Sequence, residues 1–221
     1  MNIQRELRRS KKYDIISFDV FDTLIKRECE DPKDIFFYVG EFILPSSFDV
    51  FDFVIRRVNA ESVARCKSVT GEVTINDIYM QLENYYGELS AKLKEKEIEI
   101  EIEKCRPRNK LVNLYKSFIE SGKKVILISD MYLSSEVIAK MLSKCGIKGY
   151  DALYVSNEWG GDKISGQLYI KARDDLRMAN GSHLHYGDSI RADYLGAKKA
   201  GATPRLILKE HWLKKIIKKI I

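Results

Sequence analysis

Residues 15–24 read IISFDVFDTL, an apolar run that ends on Asp19 and carries Thr23 shortly after it. The run has the length and the β-branched, aromatic composition of a buried strand, and it delivers a carboxylate at its C-terminal tip. Ligands of open α/β sheets bind beyond the carboxyl ends of the strands. Asp19 is therefore the first candidate functional residue.

Working outward, short apolar runs recur at 14–18, 124–129, 152–156, 183–186 and 204–208, separated by stretches of helical periodicity. Leu111, Leu114, Tyr115, Phe118 and Ile119 fall on one helical face, with Pro107 suited to a first turn and Gly122 to a C-terminal cap. Val137, Ile138, Met141, Leu142 and Cys145 repeat the plan behind Ser134 or Ser135, and Gly146 closes it. Ala192, Leu195, Ala197 and Ala200 do so again before Gly201. Strands alternating with helices predict an α/β fold, a Rossmann-like parallel five-stranded sheet with helices on both faces.

Residues 26–105 break this rhythm, because a crossover needs only about a dozen residues. The surplus is mostly helical in pattern and predicts an inserted α-helical cap over 26–105, with 1–25 and 106–221 forming the core. Within it, EIEIEIE at 97–103 alternates like a strand, but the good helix formers around it favour a helix.

With 221 residues and 45% hydrophobic content the chain can bury a sizeable core. Its net charge of +6 is carried by the two ends, residues 1–12 and 209–221, which leaves the body slightly acidic. A nucleic-acid groove would need that charge on the body, so nucleic acid is not an expected partner. Cys29, Cys66, Cys105 and Cys145 have no CxxC spacing, and no secretory signal is recognisable, so reduced thiols in a cytoplasmic protein are expected. No apolar run approaches the roughly 18 residues of a membrane span.

Four places, each just after an expected strand, converge. Asp19 follows the first, Ser129 ends the second, Lys163 lies in the loop after the third, and Asp188 and Asp193 follow the fourth in YGDSIRADYLGA. Adjacent strand tips would bring these groups into one pocket, and the set suits phosphoryl transfer. A carboxylate can attack phosphorus and split one hard displacement into two easier ones.

In this order, DVFDTL, ISD, a loop lysine and GDSIRAD, the chain resembles the haloacid dehalogenase (HAD) superfamily over residues 13 to 208. The resemblance implies a magnesium-dependent phosphatase acting on a small phosphorylated metabolite. It implies Asp19 as nucleophile, and Asp19, the Phe21 carbonyl and Asp188 as Mg2+ ligands, with Asp193 ligating or supporting them. Ser129 would donate to a phosphoryl oxygen, Lys163 would neutralise transition-state charge, and backbone N–H groups after Asp19 and Ser129 would complete the cradle. FDVFDTL, ISDMYLS and SNEWGGDKISGQLY together are similar to a subgroup linked to surface-polysaccharide glycosyltransferases, which implies a glycosyltransferase partner and suggests a sugar phosphate as the metabolite.

One position departs from the phosphatase pattern. The second aspartate, two residues after the nucleophile, is replaced by Phe21, and Asp22 stands one residue later, where a side chain would ordinarily swing elsewhere. Loss of the acid would slow alkoxide departure by roughly 10²- to 10⁴-fold. Either the loop bends so that Asp22 serves, or the protein is a weak or inactive phosphate- or sugar-binding accessory domain. An aromatic residue here is also reminiscent of dehalogenases, whose aspartate attacks carbon without a metal; retention of Asp188 and Asp193 argues against that.

Plainer roles compete for several residues. Asp22, Asp130 and Asp193 could be turn or helix-capping residues. Lys171 rivals Lys163, whose flanking glycines and loop position fit better. Arg56, Arg57 and Glu61 could reach a substrate from the cap or form a solvated helix face. His183, His185 and His211 lack ligand spacing. The C-terminal HWLKKIIKKII is amphipathic, with docking onto the body expected first, and weak peripheral contact with an anionic membrane or a lead into a partner domain as alternatives.

Overall fold

A computed structural model describes residues 2–207 of the chain. In chain order the first half contains α1 (Ile3–Ser10), β1 (Ile15–Phe18), β2 (Ile25–Arg27), α2 (Asp34–Ile43), α3 (Ser47–Lys67), α4 (Ile75–Met80), α5 (Glu83–Tyr86) and α6 (Leu89–Lys104). The second half adds β3 (Cys105–Pro107), α7 (Asn109–Glu120), β4 (Lys124–Ser129), α8 (Ser135–Lys144), β5 (Ala152–Val155) and α9 (Ser156–Trp159). It closes with α10 (Gln167–Asp175), β6 (His183–Gly187), a π-helical turn (Ile190–Gly196), α11 (Ala197–Lys199) and β7 (Thr203–Leu206). The expected C-terminal helix and His211 lie outside the described residues. Among the described residues no helix is long and apolar enough to cross a membrane.

The described residues fall into two compact units. The first holds residues 2–26, Pro107–Asp130 and residues 147–207. Its sheet has five parallel strands in the order β5-β4-β1-β6-β7. The chain leaves β1 toward β4 and β5 on one side and returns to β6 and β7 on the other. The tip of β1 is thus the topological switch point, where a parallel sheet opens a crevice.

Alternation along β1 sends its side chains to two cores. Phe18 faces α7, stacking on Tyr186 at 4.9 Å and meeting Tyr115 and Phe118 at 5.9 and 6.0 Å. Ile15 faces the other way, packing with Ile126, Ile128 and Tyr154 against Leu168, Tyr169 and Ala172 of α10 and against Ala197 and Ala200. Ser17 is the polar residue on this second face, fully buried.

Two local expectations are corrected. Pro107 does not open α7 but ends β3, because the Arg108 N–H that follows is spent on the Leu24 carbonyl at 2.8 Å and the helix starts only at Asn109. The helix expected through Ala192 begins as a π turn, in which the N–H groups of Asp193 and Tyr194 share the Ser189 carbonyl at 2.9 and 3.0 Å. The short β2–β3 sheet, α1 and α10 were not anticipated.

The second unit holds Arg27–Arg106 with Met131–Gly146. It is built on α2, α3, α4 and α6, and it includes α8, which the sequence reading kept with the sheet. Lys144 explains the regrouping, since its Nζ donates to the Ile102 and Glu103 carbonyls at the end of α6 at 2.7 and 2.5 Å. Beside it the Cys105 and Cys145 sulfurs, both free thiols, lie 3.1 Å apart.

Arg57 is neither a substrate contact nor a solvated residue. It is fully buried, donating to both Glu97 oxygens at 2.7 Å, with its guanidinium 4.3 Å from the centre of the Phe36 ring. Glu61 pairs with Arg65 at 2.9 Å, and Arg56 pairs with Asp52 at 2.5 Å. EIEIEIE is helical, as expected, and the buried residues of its helix α6 follow helical spacing: Leu93, Glu97, Ile100 and Glu101. Glu101 takes a two-pronged pair from Arg27, both bonds at 2.8 Å.

Candidate active site

Asp19 sits one residue past β1, its N–H donating to the Tyr186 carbonyl at 2.8 Å, so the strand continues far enough to fix the backbone beneath the carboxylate. The side chain is buried, and its two oxygens differ. Oδ1 accepts from Lys163 Nζ at 2.6 Å, whereas Oδ2 is buried with no hydrogen-bond partner.

Lys163 reaches the site from the loop between α9 and α10. Its Nζ bridges Asp19 Oδ1 and, at 2.7 Å, Asp193 Oδ1. The loop backbone is fixed separately, because both Asp130 oxygens accept from the Lys163 N–H at 3.0 and 3.1 Å. Asp130, read from sequence as a turn or capping residue, thus seats the lysine. Lys171 is spent elsewhere, on the Trp159 and Gly160 carbonyls at 2.5 and 3.2 Å.

Asp193, on the π turn, has both oxygens engaged. Oδ1 takes Lys163 and His185 Nε2, the latter at 3.2 Å, and Oδ2 takes the N–H groups of Asp188 and Ser189 at 3.0 and 2.8 Å. It therefore clamps the loop that carries Asp188. Two glycines make the approach geometrically feasible. A Cβ on Gly187 would overlap the Asp193 carboxyl carbon, and one on Gly196 would collide with the Lys163 carbonyl.

Carboxylate oxygens of Asp19, Asp188 and Asp193 lie within 4.8 Å of one another. The charges respond to this crowding. Burial, reinforced by the neighbouring Asp193 and Asp188, outweighs Lys163 and pushes the Asp19 carboxyl up to about 8. Burial acts against charge on Lys163 as well, but Asp19 and Asp193 outweigh it and hold the ammonium well above its ordinary range. Asp193 is the opposite case to Asp19: burial would raise it, yet Lys163 and His185 hold it below the usual carboxylate range.

Ser129 is buried at the end of β4, next to β1 in the sheet. Asp22 takes a left-handed backbone, φ 58°, which aspartate tolerates better than most residues, and its carbonyl accepts from Arg108. Phe21 forms a bridge with Ile25 in the same turn. The sequence reading missed the part played by Ser17, His183, His185 and Tyr169, which lie behind Asp193. The signal was present as HLH on β6, which puts two imidazoles on one face of a strand.

No protein-family model matches the chain, and no curated protein does. Solved structures do. The HAD-hydrolase YfnB from Bacillus subtilis, bound to magnesium, is 18% identical with a TM-score of 0.61, over 94% of this chain and 100% of that one. The 2-haloacid dehalogenase from Pseudomonas syringae pv. Tomato DC3000 is 13% identical with a TM-score of 0.63, over 95% of this chain and 100% of that one. The L-2-haloacid dehalogenase from Xanthobacter autotrophicus, with chloropropionic acid covalently bound, is 10% identical with a TM-score of 0.60, over 94% and 83% of the two chains. At these identities the likeness is one of fold, and the chain has the fold of the haloacid dehalogenase (HAD) superfamily.

Proposed function

We propose that the chain is a magnesium-dependent hydrolase of phosphate monoesters, acting on a small phosphorylated metabolite through an aspartyl-phosphate on Asp19. The observation that carries this reading is the inequality of the Asp19 oxygens: Oδ1 is anchored by Lys163 and Oδ2 is buried and bare. A bare buried carboxylate oxygen is costly unless something binds it. The crowding with Asp193 and Asp188 that disfavours charge on Asp19 is also what a divalent cation would offset. An all-oxygen donor set fits a hard cation such as Mg2+.

Asp19 and Asp188, with the Phe21 carbonyl, are the residues that would hold the cation, since both Asp193 oxygens already take protein donors. Bound there, Mg2+ would offset the repulsion between Asp19 and a phosphate dianion. Asp19 then attacks phosphorus, the bond to the leaving oxygen breaks, and that oxygen takes up a proton. Lys163 keeps the nucleophile oriented, and Ser129 donates to a phosphoryl oxygen. Water next attacks phosphorus, its proton passing to the base that the first step left behind, and the P–O bond to Asp19 breaks to release the carboxylate and inorganic phosphate. We assign the leaving-group proton to Asp22; its left-handed φ redirects the side chain relative to an extended residue and so supports a role that the ordinary offset would forbid.

The test is hydrolysis of an aryl phosphate with Mg2+, since a good leaving group bypasses the acid. Wild type should turn over, and Asp19→Asn should not. Phe21 and the dehalogenases among the fold neighbours favour a second reading, attack of Asp19 on carbon with halide release. Chloride release from 2-chloropropionate without metal, and no phosphatase activity, would establish that reading instead. Silence in both assays with intact Mg2+ binding would leave an accessory binding domain.

A further inference from the structure

On the α10 side of the sheet a line of buried polar groups runs into the site from behind. Ser17 Oγ lies 2.6 Å from His183 Nε2 and 2.7 Å from His185 Nδ1. His185 Nε2 faces Asp193 Oδ1 at 3.2 Å and Tyr169 Oη at 3.1 Å, and the Tyr169 hydroxyl proton is directed to the Ala192 carbonyl at 3.1 Å. The line ends at His183 Nδ1, which is buried with no hydrogen-bond partner.

That bare end fixes every proton. A buried N–H without an acceptor is the rarer and costlier orphan, so Nδ1 of His183 is the unprotonated nitrogen and Nε2 carries the hydrogen. His183 therefore donates to Ser17, whose single proton must go to His185 Nδ1. With Nδ1 accepting, His185 is neutral and carries its hydrogen on Nε2, where Asp193 and Tyr169 both present acceptors. A charged His185, or its other tautomer, would need Ser17 to donate to His183 and would strand an N–H on His183 Nδ1. Burial acts in the same sense, disfavouring charge on both imidazoles.

We infer that His185, locked into one tautomer by Ser17 and His183, is a positioning residue for Asp193, and that the three form a one-way chain of donors ending on the carboxylate that seats Lys163 and clamps the Asp188 loop. The functional half of this statement rests on the phosphatase reading, whereas the donor chain itself does not. Asp193 Oδ1 takes two donors from different directions, and removing His185 leaves Lys163 as the one side-chain donor on that oxygen. Because Oδ2 of the same carboxylate holds the N–H groups of Asp188 and Ser189, the disturbance passes to the cation ligands.

Long-range proton–nitrogen NMR on the ¹⁵N-labelled protein reads the tautomers directly, with His183→Gln and His185→Gln for assignment. Both rings should be neutral with hydrogen on Nε2, and Ser17→Ala should move the His185 Nδ1 resonance to that of a nitrogen accepting no hydrogen bond. An imidazolium at 185, hydrogen on Nδ1 of either ring, or a His185 Nδ1 resonance indifferent to Ser17→Ala would overturn the chain. Positioning is read by Mg2+ calorimetry on His185 variants whose fold is verified by circular dichroism. His185→Leu should weaken Mg2+ about tenfold or more, while His185→Gln, whose amide N–H can stand near the place of Nε2, should recover most of it. Equal behaviour of Leu and Gln would reject the positioning role. Aryl phosphate turnover should follow, with kcat lowered and KM kept. A wild type that binds Mg2+ but never turns over would end the phosphatase reading and leave these two readouts to decide the inference on their own.

Discussion

Raising the pH from 6 to 8 should tighten magnesium binding steeply and then leave it constant. The perturbation acts on Asp19, whose carboxyl is pushed up to about 8 by burial and by the nearby Asp193 and Asp188. In the metal-free protein at pH 6 only about one site in a hundred has this carboxylate ionised, and at pH 7 about one in ten. Magnesium must expel that proton. The apparent Kd should therefore fall about tenfold between pH 6 and 7 and most of another tenfold by pH 8, each unit corresponding to about 1.4 kcal/mol. In the metal-free site Lys163 is held charged, Asp193 is held ionised, and burial holds His183 and His185 toward the neutral form, so these four do not contribute to the slope. Isothermal titration calorimetry in two buffers of different ionisation enthalpy measures both quantities. Close to one proton should be released per ion at pH 6, falling to about half at pH 8. A Kd constant within twofold across this range, with no buffer dependence of the heat, would refute the claim that the cation displaces a proton from Asp19.

Gly187→Ala would drive a Cβ into the Asp193 carboxyl, so turnover should fall about 10²-fold while the fold is kept, as read by kinetics alongside circular dichroism. Asp22→Asn should slow alkyl phosphates by roughly 10²- to 10⁴-fold and aryl phosphates far less, whereas equal losses would reject the acid assignment. Arg57→Met strands the buried Glu97 carboxylate and should cost about 3–5 kcal/mol in urea unfolding, and pairing it with Glu97→Leu should restore most of that.

What the sequence made legible was whatever local pattern determines. IISFD gives a buried strand with an acid at its tip, and the positions of Ser129, Lys163, Asp188 and Asp193 after later strands follow from chain order once the sheet is parallel. EIEIEIE shows where local pattern stops. Its alternation is strand-like, yet Glu97 and Glu101 lie on the buried helical face because Arg57 and Arg27, 40 and 74 residues away, are there to receive them. The same holds for Arg57, which any helical wheel without tertiary partners exposes to water. Asp130 looks like a turn residue until the Lys163 loop arrives to donate to it. His185 and Ser17 are separated by 168 residues and become partners only through the β1–β6 register. Polar groups satisfied by distant partners carry no periodic signature, and in this chain they are the groups that tune the site.

The central claim is that Asp19 becomes covalently phosphorylated. Borohydride reduction of an acid-quenched turnover mixture converts an aspartyl-phosphate to homoserine, which peptide mass spectrometry locates by residue. The account predicts homoserine at position 19, formed only when magnesium and a phosphate monoester are both supplied. An unmodified Asp19 during demonstrable turnover, or reduction at Asp22 or Asp188 instead, would contradict it.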